Sequence, residues 1–183
     1  MNAIPSQKHV AYHESGHFVA QIVLQPVSHI SRVSIIPDDD EGTCGAVYGE
    51  DIVLWEDNMP PRERIEAQII CLLSGFAAER KYDPSEKHRR LAMEGASRDF
   101  EKAINLCEIA GISLEESHLK ARSFVDERWN EIICLTEALL IVKEFIGEEA
   151  EIWLDYAIRN VPISDLMLDQ YPNLELLMKT KMG

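Results

Sequence analysis

His13, Glu14 and His17 stand in the stretch AYHESGHFVA, residues 11 to 20, in the pattern H-E-x-x-H. Residues four apart on a helix share a face about one turn apart. The two imidazoles can therefore aim at one point, the pairing that tetrahedral zinc accepts. Glu14 sits one position round from His13, close enough to reach a zinc-bound water without ligating the metal. On ordinary composition, a fixed H-E-x-x-H arises in roughly one of a few hundred chains of this length. A catalytic zinc needs a third protein ligand, and that ligand decides. The residues leave it open among Glu79, Asp99, His88, His118 and the acidic run DDDE at 38–41.

Several elements must position these groups. Val10, His13, His17, Ala20 and Leu24 fall at helical spacing, so residues 8–24 read as a helix, with Pro26 beyond its end. In SHISRVSIIP, the β-formers Ile30, Val33, Ile35 and Ile36 predict a strand closed by Pro37. An acidic, glycine-punctuated loop then returns as a second strand at about 46–53. Residues 60–80 carry Ile65, Ile69, Leu72, Leu73 and Phe76 on one stripe, a core helix. The polar segment 81–94 reads as a loop or lid-like connection. Ser97 is the expected N-cap of a helix over 98–110, ended by Gly111. One long helix is expected over 115–145, a shorter one at 149–159, and then a tail containing Pro162 and Pro172. No internal repeat or linker-like segment is visible. The expectation is a mainly α, α+β fold in one domain over 1–183, with a metal-site core at 8–113, C-terminal helices at 114–160 and a tail at 161–183.

Composition narrows the function classes. An apolar fraction of 46% and a charged fraction of 27% suit an ordinary globular domain. A net charge of −14 argues against a nucleic-acid groove or an anionic membrane surface as partner. The four cysteines form no C-x-x-C pair, so a cysteine zinc knuckle is disfavoured and reduced core thiols in a cytosolic protein are expected. No signal peptide, membrane-length apolar run or P-loop motif is found in the sequence.

Four blocks carry a family resemblance: HVAYHESGHFVA, SHISRVSIIP, LLSGFAAER and GASRDFEKA. They occur in the order seen in the peptidase domain of FtsH-type ATP-dependent zinc proteases. The resemblance covers residues 9–113 and continues more loosely through ARSFVDERWNEIICLTEALL. It implies zinc as cofactor, with Asp99 as third ligand beside His13 and His17. Asp99 would lie in the first turn of its helix, where the macrodipole favours an ionised carboxylate. Glu79 is the rival, better suited to orient a ligand histidine. Glu14 becomes the general base for a zinc-activated water, handing its proton on to the leaving amine. The strand holding Val33 and Ile35 is expected to pair with an extended peptide at a sheet edge. His9, His29, His88 and His118 have no matching role and are expected to be solvated or capping, and the run at 38–41 to be a solvated turn.

The sequence departs from the family in places. The family's transmembrane segments and ATPase module have no counterpart in these 183 residues. Ser74-Gly75 stands where the family has Gly-Gly, and Arg80 where a second acidic residue is usual. The expectation is a soluble, cytoplasmic zinc metalloendopeptidase without its own ATPase, acting on unfolded polypeptides or peptides. A homo-oligomer and a separate ATPase partner both stay open. The alternative is a non-enzymatic metal-binding or adaptor protein that retains the fold.

Overall fold

The computed structural model describes residues 5–24, 30–38, 43–49, 61–164 and 168–182. Of these described residues 74% are helical, with a small antiparallel sheet, the mainly α class expected. In chain order come α1 (Gln7–Leu24), β1 (Ile30–Ser34), β2 (Ala46–Gly49), α2 (Pro61–Tyr82), α3 (Glu86–Gly95) and α4 (Ser97–Ala110). They are followed by α5 (Leu114–Glu127), α6 (Trp129–Val142), β3 (Glu144–Ile146), α7 (Glu149–Arg159) and α8 (Pro172–Met182).

The apolar stripe of α1 buries Ala11, Phe18, Val19 and Ala20 between α2 and α6. Gly16 sets how closely α1 and α2 approach: a Cβ there would lie 2.5 Å from the Ser74 carbonyl oxygen. That backbone contact brings His13 and His17 against α2. Tyr12 stacks between Tyr82 and Trp129, with ring centroids 4.3 and 5.3 Å away, and so ties α1 to α2 and α6. The larger core joins α1 and β1 to α6, β3, α7 and α8, with Phe18, Leu135, Leu139 and Phe145 wholly buried. Side chains of this size each contribute about 2 kcal/mol by leaving water. A second cluster, around Ile69, Leu73 and Ala103, holds α4 and α5 to α2.

Strand order is β2-β1-β3. Val33 stands opposite Val47 on one side and Phe145 on the other.

Several boundaries differ from the sequence expectation, for physical reasons. The segment 81–94 is not a loop, because α2 runs on to Tyr82 and α3 begins at Glu86. The Ser85 hydroxyl caps α3 by accepting from the His88 N–H at 3.3 Å. Only His88 and Ala92 of α3 are buried, so its apolar stripe is too narrow to read. Ser97 is the first residue of α4 rather than its N-cap; Ala96 takes that position without a side-chain bond. Gly111 does end α4, in the left-handed conformation at φ 61°.

The long helix expected over 115–145 is two helices and a strand. The chain turns at Arg128, and Lys143 leaves α6 at φ 72° so that Phe145 can enter the sheet. The tail is partly helical: Pro172 opens α8, where a missing N–H costs nothing, and Leu174 and Leu177 are fully buried. The second strand ends at Gly49, and residues 50–53 of that expectation lie outside the described residues.

Candidate metal centre

His13 and His17 turn their rings toward α2 and the first turn of α4. Their Nε2 atoms approach to 3.0 Å. Asp99 Oδ2 lies 3.4 Å from His13 Nε2 and 3.3 Å from His17 Nε2. The far nitrogens are committed elsewhere. His17 Nδ1–H donates to the Cys71 carbonyl at 2.8 Å, and His13 Nδ1–H donates to Glu79 Oε2 at 3.0 Å. A carbonyl can only accept, so His17 carries a proton on Nδ1, which leaves Nε2 as the nitrogen able to ligate a metal.

Two ring nitrogens and a carboxylate oxygen therefore meet at one point. Donors about 2.0 Å from a tetrahedral zinc stand about 3.3 Å apart, and the three separations of 3.0, 3.3 and 3.4 Å match. Two imidazoles with fixed outer hydrogen bonds, plus a carboxylate, are a donor set that suits zinc. Gly75 makes room for it: a Cβ there would lie 2.3 Å from His17 Nε2.

The electrostatics ask for positive charge at this point. Burial alone would push His13 down, but the Asp99 and Glu79 carboxylates overcome it and raise its pKa to about 10. Burial likewise works against ionised Asp99, yet His17 and His13 hold its carboxyl well below the usual range. A proton and a metal cation compete for the same place. Glu14 behaves differently: burial pushes its carboxyl up, against the pull of His13 and His17. It is 6% exposed and lines a cleft of about 560 Å³ together with His13, His17 and Asp99. One wall of that cleft is β2, through Ala46, Val47 and Gly49.

The family description of peptidase family M41 matches residues 3–111, which take in every element from α1 to α4. The chain belongs to peptidase family M41. Relatives of this M41 chain include three named ATP-dependent zinc metalloproteases. An FtsH of Lachnoclostridium phytofermentans is 35% identical over 97 residues, covering 51% of this chain and 15% of that protein. FtsH 2 of Phytoplasma mali is 40% identical over 70 residues, or 38% of this chain and 10% of that protein. An FtsH of Mycoplasma pneumoniae is 25% identical over 189 residues, covering 79% of this chain and 25% of that protein. The M41 chain thus spans between 10% and 25% of the length of these relatives. No helix among the described residues is long and apolar enough to cross a membrane.

The structure brings His13, His17 and Asp99 together, with Glu14 lining the same cleft and Glu79 behind His13. It does not bring Val33 and Ile35 to a sheet edge. β1 is the middle strand, with β2 and β3 paired on either side of Val33, and both side chains are 1% exposed. Edge pairing through β1 is therefore ruled out, since its backbone groups are spent on the flanking strands. His88 is not solvated: it is 5% exposed, and its Nε2–H donates to Glu79 Oε1 at 2.6 Å. His9 bonds Asp83 Oδ2 at 3.3 Å, and His118 is partly buried beside the Phe100 ring. Asp38 pairs backbone to backbone with Thr43, and residues 39–42 lie outside the described residues, as does His29. The one signal for His88 was Ser85 three residues ahead of it, a helix-capping spacing.

Proposed function

We propose that this chain is a zinc metallopeptidase that hydrolyses unfolded polypeptides, with His13, His17 and Asp99 holding the metal. The convergence of two Nε2 atoms and Asp99 Oδ2 within 3.0 to 3.4 Å carries this reading. Residues 1–183 serve as one peptidase unit, in which 8–113 form the metal-site core and 114–160 back it. The four cysteines are unpaired, which supports a reducing, cytoplasmic setting.

When bound, zinc supplies Lewis acidity, lowering the pKa of a water toward about 7 and polarising the scissile carbonyl. Glu79 accepts the Nδ1 proton of His13 and so keeps His13 Nε2 turned into the site. The Cys71 carbonyl does the same for His17. Glu14 takes a proton from the attacking water and passes it to the departing amine nitrogen. Burial suits Glu14 to hold that proton between the two transfers, because it favours the neutral carboxyl. The substrate lies extended along β2, which lines the cleft and pairs only with β1 among the described residues. Main-chain hydrogen bonds would then supply most of the binding, with little demand on sequence.

The test is digestion of casein by zinc-loaded protein, with and without a zinc chelator. Cleavage that stops on chelation and returns with added zinc supports the reading. Protein that binds zinc yet leaves casein intact would favour a non-enzymatic metal-binding role.

A further inference from the structure

Glu79 is a buried carboxylate with two oxygens, and each is held by a different ring. Oε2 accepts from His13 Nδ1–H at 3.0 Å, and Oε1 accepts from His88 Nε2–H at 2.6 Å. Glu79 and His88 are 4% and 5% exposed, so neither bond is readily replaced by water. A buried carboxylate with one oxygen unpaired would be costly and free to swing.

His88 is itself clamped. Its backbone N–H is capped by Ser85, and the His9 ring stacks on it with centroids 3.7 Å apart and planes 20° apart. Asp83 fixes His9 from one side at 3.3 Å and accepts from the Ser85 N–H at 3.0 Å on the other. Arg80 donates to the carbonyls of Asp83, Pro84 and Ser85, tying down the turn that leads into α3.

His9, Asp83 and His88 gather donors within 4.8 Å and could be taken for a second metal site. The stacking argues otherwise. Ring lone pairs lie in the ring plane, so two nearly parallel rings point side by side and not at one shared ion. The cluster is a support for His88.

We infer that His88 is a positioning residue for the metal centre, acting through Glu79 on His13. The proposal rests on the zinc-site reading above. His88 fixes the carboxylate so that its other oxygen meets His13 Nδ1, which leaves His13 Nε2 aimed at the metal. α3, which carries His88, thereby becomes part of the site's framework.

The experiment measures zinc affinity by competition with a chromophoric chelator for wild type, His88→Ala and His88→Gln. Thermal unfolding of each metal-free protein checks the fold. Glutamine carries an N–H at the position of the histidine Nε2, so it can renew the bond to Glu79. Wild type should bind zinc, His88→Ala should bind about 10- to 100-fold more weakly, and His88→Gln should recover most of that loss. If wild type binds tightly and His88→Ala matches it, the inference fails while the zinc site stands. If His88→Gln is as weak as His88→Ala, the ring's packing matters rather than its N–H, and the inference fails again. A wild type that binds no zinc overturns the site reading and the inference with it.

Discussion

A methyl group added at Gly75 should damage zinc binding far more than it damages the fold. Its carbon would sit 2.3 Å from His17 Nε2 and 2.7 Å from both flanking ring carbons, directly over the ring face. Ordinary contact begins at 3.4 Å, so the ring must retreat by about 1.1 Å, the difference between 3.4 and 2.3 Å. Metal–ligand distances tolerate about 0.2 Å, and a misplacement of about 1 Å in a reacting group costs about 100-fold. The metal-free fold feels two opposed effects. Alanine in place of a helical glycine contributes about 1 kcal/mol. Losing the His17 bond to the Cys71 carbonyl costs about 1 kcal/mol. Gly75→Ala should therefore unfold in urea at nearly the wild-type midpoint without metal, while its zinc affinity falls at least about 100-fold by chelator competition. Zinc affinity within about threefold of wild type, with the fold intact, would refute the claim that Gly75 makes room for a metal-binding His17.

Three further outcomes are expected. Asp99→Ala should abolish stoichiometric zinc binding, whereas Glu79→Ala should weaken it by about 10- to 100-fold; the reverse ranking by metal analysis would make Glu79 the ligand. Glu149 is 1% exposed and accepts from the N–H groups of Ile146, Asn173 and Leu174. Glu149→Ala leaves those donors unpaired and should lower stability by about 3 kcal/mol or more in urea unfolding; an unchanged midpoint would contradict the docking of α8 through this residue. Burial pushes the Cys71 thiol up to about 12, and Cys44 is exposed. Iodoacetamide near pH 8 should therefore label Cys44 and spare Cys71 in the folded protein, and equal labelling by peptide mapping would contradict that burial.

Legibility followed the strength of the local signal. The helix carrying His13 and His17 could be read because its apolar residues repeat at helical spacing and Pro26 follows. Asp99 could be placed in a first turn because Ser97 and Gly111 bracket its helix, although Ser97 is the helix's first residue rather than its cap. Helix α3 stayed hidden: with only His88 and Ala92 buried, it has almost no apolar face, and its polar, charged sequence suggested a loop. The break at Arg128 has no proline or glycine to announce it. It arises because α5 packs on α2 while α6 packs on α1, a tertiary demand that local periodicity does not carry. Ile30 and Val33 marked a strand correctly but not its rank in the sheet, and Ile35 falls just past the strand's end at Ser34. That rank depends on Phe145, more than a hundred residues away, which the sequence expectation placed at the end of a long helix over 115–145. His88 fell outside the expected site for a similar reason, since its partner Glu79 lies on the preceding helix and across a turn held by Arg80.

The most direct measurement compares zinc-loaded wild type and Glu14→Gln on casein, with zinc content determined for both. The substitution keeps the shape and removes the proton acceptor. Equal zinc content is expected, with a cleavage rate about 100- to 10,000-fold lower in the variant. Cleavage that survives the substitution at the wild-type rate would contradict that expectation.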